Sequence, residues 1–132
     1  MALELAMNVL LDTCALLALA QGILPPRAAA ALRNATEASV SVVSPWEVAI
    51  KSAAGKLRLC EPPKQWFDDL MTRYSLLELP LDSSLACAAA ALPAIHRDPF
   101  DRILIALAKT HSLTLLTSDR TIAKYPNIKT LW

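Results

Sequence analysis

The sequence predicts one α/β domain, a central parallel sheet flanked by helices on both faces. Three observations carry that expectation. Short apolar or β-branched runs recur at Met7–Leu11, Ser39–Val43 and Leu113–Thr117. Helix-like stretches separate them, as parallel pairing requires. The 132 residues are 55% apolar and 19% charged, too apolar for a disordered chain and long enough for one core without disulfide or metal staples.

The elements follow in order. Met7–Leu11 (MNVLL) is continuously apolar, as suits a strand buried on both faces. Thr13–Ala20 reads as a short helix broken at Gly22, and Pro25–Ala38 as an alanine-rich helix with Pro-Pro at its start. Ser39–Val43 (SVSVV) is β-branched. Ser44–Lys56 is helical with Gly55 near its end, and Pro62–Arg73 is amphipathic with Trp66, Phe67 and Leu70 on one face. Leu76–Leu79 is a short strand and Asp82–Leu92 a helix uncharged after its first residue. Pro99–His111 is a helix whose centre, Ile103–Ala108, is apolar all round and therefore buried. Leu113–Thr117 is a strand, Thr121–Lys124 one helical turn, and Ile128–Leu131 a last strand.

Composition excludes several functions. Gly22 and Gly55 are the only glycines, so no glycine-rich phosphate loop can be built. The longest uncharged run, Thr13–Pro26, falls short of the about 20 apolar residues of a spanning helix. The first basic residue is Arg27, which argues against a signal peptide; a cytoplasmic protein is expected. Cys14, Cys60 and Cys87 share no CxxC spacing and read as buried thiols in a reducing compartment. The mean hydropathy of +0.38 points to apolar surface covered by another chain. Net charge is +1, from 13 basic and 12 acidic residues. If four acids gather at one site, the rest counts 13 against 8, or +5, which suits a polyanionic partner around an acidic centre.

Four acids stand where such a site would form. Asp12 closes the first strand, and Glu47 lies in the first turn of the helix after the second. Asp101 lies in the first turn of the most buried helix, and Asp119 follows the LTLLT strand through Ser118. Ligands of parallel α/β sheets bind beyond the strands' carboxyl ends, so these four carboxylates are expected to converge there. Crowded carboxylates repel, and a hard cation relieves the repulsion. With oxygen ligands only, Mg²⁺ or Mn²⁺ is expected rather than zinc. Each acid also has a plain structural reading. Ser44-Pro45-Trp46-Glu47 has the form of a capping box, Glu47 pairs with Lys51 at i+4, Asp98 caps the Pro99 helix or pairs with Arg102, and Asp119 suits a turn. Asp12 is hardest to dismiss, because a lone carboxylate ending a buried strand is costly unless paired or ligated.

His96 and His111 read as structural, Ser83–Ser84 lack a nucleophile context, and Trp46, Trp66 and Trp132 read as core or interface. Lys51, Lys56, Arg58, Arg97, Arg102 and Arg120 flank the expected site edge. A phosphoacceptor receiver would need an early acid pair and a late strand-end Lys, which Leu10–Leu11 and Thr117-Ser118-Asp119 do not supply. A DxD phosphatase would need an acid where Cys14 stands, and a non-catalytic interaction module would leave all four acids unused.

The segments LLDTCALLAL from Leu10, SPWEVAIKSAAGKL from Ser44, HRDPFDRILIALA from His96 and LLTSD from Leu115 resemble the PIN-domain ribonucleases, and within them the VapC-type toxins. The match runs over nearly the whole chain, so residues 1–132 are expected to form one PIN domain. The resemblance implies a five-stranded parallel sheet, an endoribonuclease dependent on Mg²⁺ or Mn²⁺, and a catalytic quartet at Asp12, Glu47, Asp101 and Asp119. Asp12 and Asp101 would ligate the metal, with Asp98 in support. It also implies an RNA substrate, a homodimer and a cognate antitoxin; a housekeeping RNA-processing nuclease is the alternative. One departure is Leu107, where this subgroup often carries Gln.

Overall fold

The computed structural model describes residues 7–132, and the opening residues 1–6, on which the signal-peptide reading partly rests, lie outside it. Five strands form one all-parallel sheet: β1 (Val9–Leu11), β2 (Ala38–Ser41), β3 (Leu77–Leu79), β4 (Thr114–Leu116) and β5 (Lys129–Leu131). Their order across the sheet is β3-β2-β1-β4-β5. Leu10 aligns with Ser39 on one side and Leu115 on the other. The helices are α1 (Thr13–Gln21), α2 (Pro26–Asn34), α3 (Val43–Ala53), α4 (Pro63–Arg73), α5 (Ser83–Ala90) and α6 (Pro99–Thr110), with a 3₁₀ turn at Ile122–Lys124. No single helix among the described residues is long and apolar enough to cross a membrane.

The central strands show why a continuously apolar run marks them. Side chains alternate between faces, so Val9, Leu11 and Leu116 pack with Leu16, Leu19, Phe67 and Leu70 of α1 and α4. Leu10 and Leu115 point the other way, into Leu104, Ile105, Leu107 and Leu85 of α6 and α5. Every residue of β1 and β4 is buried, whereas β3 and β5 are partly exposed edges.

Several boundaries differ from expectation. Helix α2 ends at Asn34, not Ala38, because its successors are claimed by the sheet. The Val9 amide donates to the Glu37 carbonyl, and the Glu37 amide to Asn8 Oδ1. The expected capping box at Ser44 does not form. Helix α3 begins at Val43, whose amide donates to Ser41 Oγ (3.1 Å), and Ser44 is buried inside the helix, accepting from Thr13 Oγ1 (3.1 Å). Pro45 is tolerated as the third helical residue, since the first amides of a helix have no partner inside it. Glu47 consequently sits in the second turn, not the first.

The expected Asp98–Arg102 pair is absent too. Asp98 does cap α6, accepting from the Phe100 amide (2.9 Å). Arg102 turns the other way and donates to the carbonyls of Ala89, Ala90, Leu92, Pro93 and His96. Its guanidinium thereby satisfies the carbonyls left over at the end of α5 and in the loop that follows. All three cysteines are exposed, contrary to expectation: Cys14 and Cys87 occupy outward helical positions, and Cys60 lies in a loop.

Candidate active site

The sheet order reverses between β1 and β4: strands run from β1 outward to β3 on one side, then from β4 outward to β5 on the other. Such a switch point opens a crevice beyond the strands' carboxyl ends. Asp12 follows β1 immediately, and Thr117-Ser118-Asp119 follow β4. The Asp12 amide donates to the Leu116 carbonyl (3.1 Å), which ties the two strand ends together.

Asp12 is also the N-cap of α1, accepting from the Ala15 amide at 2.7 Å. It is 4% exposed, and burial pushes its carboxyl above the usual range. Hydrogen bonds from the Thr117 hydroxyl and the Ala15 amide oppose that rise, and the charges of Glu47 and Asp119 add to it. Asp101 is the third residue of α6, near the positive end of the helix. Its carboxyl is nevertheless pushed up to about 7, first by burial and next by the neighbouring charge of Asp98; Asp12 and Glu47 contribute, and His96 opposes. Glu47 is 9% exposed and gives one oxygen to Lys51 Nζ (2.9 Å). The i,i+4 pair expected from the sequence is therefore present, and that bond raises the Lys51 ammonium. Asp119 is the most exposed of the four. Desolvation raises it, but hydrogen bonds from His96 and from the Thr121 amide (2.8 Å) outweigh burial and hold it below its ordinary value.

The four acids named from the sequence are thus brought to one edge, from β1, α3, α6 and the loop after β4. Two neighbours were missed. Thr117, read only as a strand end, is buried beside the site: its hydroxyl accepts the Asp119 amide (3.1 Å) and helps to lower the Asp12 carboxyl. His96, read as structural, lies inside the cluster. Its Nε2 is 2.8 Å from Asp119 Oδ2 and 3.2 Å from Asp101 Oδ2. One ligand-type atom from each of His96, Asp101 and Asp119 lies within 4.8 Å of the others. The premise that no nitrogen donor shares the site is therefore corrected. The signal available in the sequence was the HxD spacing ahead of a capped helix, which folds the ring over the first turn of α6; the Asp98 amide donates to His96 Nδ1 (3.0 Å).

This donor set fits a hard divalent cation. Asp12 and Asp101 are both held above the ordinary carboxylate range, partly by the charges of other acids, and a cation bound beside them would offset that repulsion. Cys14, at the start of α1, is no competing nucleophile: partial desolvation and the charge of Asp12 push its thiol up, away from thiolate.

A family model for the PIN domain matches residues 9–128. Among curated proteins, Ribonuclease VapC22 of Mycobacterium tuberculosis is 30% identical over 108 residues, covering 80% of this chain and 82% of that protein. Among solved structures, the fold resembles a chain of VapBC2 from Rickettsia felis bound to a DNA fragment from their promoter (TM-score 0.69, 15% identity, 95% of this chain and 98% of that one). It also resembles chains of DNA-bound VapBC from Salmonella typhimurium (TM-score 0.68, 18% identity, 96% and 98%) and of a toxin–antitoxin complex from Klebsiella pneumoniae (TM-score 0.66, 21% identity, 94% and 96%). These structural likenesses speak for the fold, and the five-stranded parallel sheet agrees with them. With a family model that spans both strand ends of the switch point and all four acids beyond it, this chain belongs to the PIN domain family.

Proposed function

We propose that this protein is a metal-dependent endoribonuclease of VapC type, the toxin of a toxin–antitoxin pair, with residues 1–132 forming one PIN domain. The observation that carries the reading is the convergence of Asp12, Glu47, Asp101 and Asp119 at the sheet's switch point, with Asp12 and Asp101 both raised. The 30% identity to a curated VapC ribonuclease supports it.

Asp12 and Asp101 are the residues that would hold Mg²⁺ or Mn²⁺, since both are oxygen donors at helix N-termini, Asp12 buried as the cap of α1 and Asp101 half-buried in the first turn of α6. Such an ion, when bound, supplies charge stabilisation at a phosphate and a more acidic water. The chain's own residues do the rest. Asp119 closes the pocket on the β4 side, its orientation fixed by the Thr121 amide and His96. Glu47 has one oxygen committed to Lys51 and the other left to orient a water or take its proton. The Ala15 amide holds Asp12 in place (2.7 Å). Exposed Arg97 and Arg120 lie next in sequence to site residues and offer charge to an RNA backbone.

The partners proposed are RNA, a second copy of the chain and a cognate antitoxin, in the cytoplasm. Trp46 (54% exposed) and Ile50 (46%) lie one turn apart on α3 and give apolar surface for such a contact. The test is cleavage of structured RNA by purified protein. Activity with Mg²⁺ or Mn²⁺, loss in EDTA and loss in Asp12→Asn or Asp101→Asn are expected. Cleavage that persists in EDTA, or in both variants, would sink the proposal. Co-purification with a small upstream gene product separates the toxin from the housekeeping nuclease.

A further inference from the structure

The roles assigned above leave His96 without a chemical step, yet both its backbone and its ring are held by hydrogen bonds. Its amide donates to the Tyr125 hydroxyl (2.7 Å), and its carbonyl accepts from Arg102 Nη1 (3.2 Å). Tyr125 is buried, and Arg102 is itself anchored on the end of α5. The imidazole side chain is 14% exposed. Its Nδ1 accepts the Asp98 amide at 3.0 Å, so Nδ1 presents a lone pair and the ring proton resides on Nε2. That Nε2–H points at Asp119 Oδ2 (2.8 Å) and Asp101 Oδ2 (3.2 Å).

We propose that His96 is a positioning residue that holds Asp101 and Asp119 by donating Nε2–H between them, and that it is not itself a metal ligand. The proposal rests on the reading of the carboxylates as a cation site. To bind a metal through Nε2, the ring would have to move its proton to Nδ1, where it would meet the Asp98 amide, donor against donor. Relieving that clash means breaking the loop that leads into α6. The ring therefore fills the nitrogen position of an otherwise zinc-like cluster with a donor, which biases the site toward ions that prefer oxygen. If Asp101 were engaged by a bound ion, the longer of the two His96 bonds, 3.2 Å to Asp101, would be the one given up, and the shorter, 2.8 Å to Asp119, would remain. Each carboxylate then keeps one partner in either state.

The test uses metal-free protein at pH 8 and Mn²⁺ titration by calorimetry. His96→Gln keeps an N–H donor near the same place and is expected to bind Mn²⁺ within threefold of wild type. His96→Ala frees Asp101 from a competing charge-assisted bond and is expected to bind about tenfold more tightly, while melting lower in EDTA. In ¹⁵N imidazole spectra the His96 signal, identified by its loss in His96→Gln, should keep a protonated Nε2 when Mg²⁺ or Zn²⁺ is added. Weaker Mn²⁺ binding in both variants, unchanged binding in His96→Ala, or a metal-induced shift of the proton to Nδ1 would overturn the proposal. If His96→Ala does not fold, His96→Gln and the spectra still decide. Failure of wild-type protein to bind Mn²⁺ at all would overturn the cation-site reading as well, and is told apart by that control.

Discussion

Asp101→Asn should make the metal-free protein more stable, and more so as pH rises. Folded Asp101 titrates at about 7, against an ordinary value of 3.8. Between these values the folded state holds a proton that the unfolded chain has released. Stability therefore falls as pH rises through that window, and the whole cost is present above pH 7. At 1.36 kcal/mol per pH unit the span amounts to about 4 kcal/mol. The side chain is 21% exposed, so solvent screens part of this. Asn also gives up about 0.5 kcal/mol of favourable interaction with the helix end. A net gain of about 2 kcal/mol at pH 8 remains, shrinking toward zero near pH 4. For 132 residues this corresponds to about 7 °C in Tm. Scanning calorimetry of both proteins in EDTA, at several pH values and low salt, measures it. A difference in Tm that is flat across pH, or an Asn variant less stable at pH 8, would refute the account of Asp101 as a repelled, desolvated carboxyl.

Further outcomes follow from the same geometry. Mn²⁺ binding at pH 7 should release about half a proton from Asp101, read by calorimetry in two buffers of different ionisation enthalpy, and affinity should weaken as pH falls through about 7. Arg102→Ala should lower stability by about 3 kcal/mol in chemical denaturation, because carbonyls at the end of α5 lose their donor; Arg102→Lys should recover less than half, since one ammonium cannot span them. Cys14→Ser should keep RNA cleavage within twofold of wild type, because its thiol is held away from thiolate.

The strands were legible because their burial is written locally. A three-residue core strand covered on both faces must be apolar throughout, and VLL and TLL are nearly so. The end of α2 was not legible, because alanine signals helix right up to Ala38 and the stop comes from Asn8 and Val9 across the sheet. Helix α3 misled for a related reason. Ser-Pro-x-Glu reads as a capping box, but the helix already starts at Val43, whose amide donates to Ser41 Oγ, and Ser44 is turned inward to Thr13. The four acids could be picked out because each follows a strand or stands early in a helix. Their convergence depended on β4 lying next to β1, which no local pattern encodes. His96 was not legible because its partners, Asp101 in the next helix and Asp119, 23 residues away, meet it only in the folded chain.

Three acids of the quartet, and Asp98 beside them, have a structural task that would explain their presence alone. Asp12 caps α1, Asp98 caps α6, Glu47 pairs with Lys51, and Asp119 orders the turn at Thr121. Those tasks do not explain why the acids are crowded. A cap works as well in solvent, and helix caps on separate elements gain nothing from sharing a pocket in which Asp12 and Asp101 are both driven up. Capping also needs only an oxygen acceptor, and Asn serves about as well as Asp. Charge is the property the structural tasks do not require. The Asp12→Asn substitution keeps the bond from the Ala15 amide and removes the charge, so it separates the two roles where Ala would confound them. If Asp12→Asn or Asp101→Asn folds as well as wild type and yet loses divalent-ion binding, the carboxylates are there for their charge.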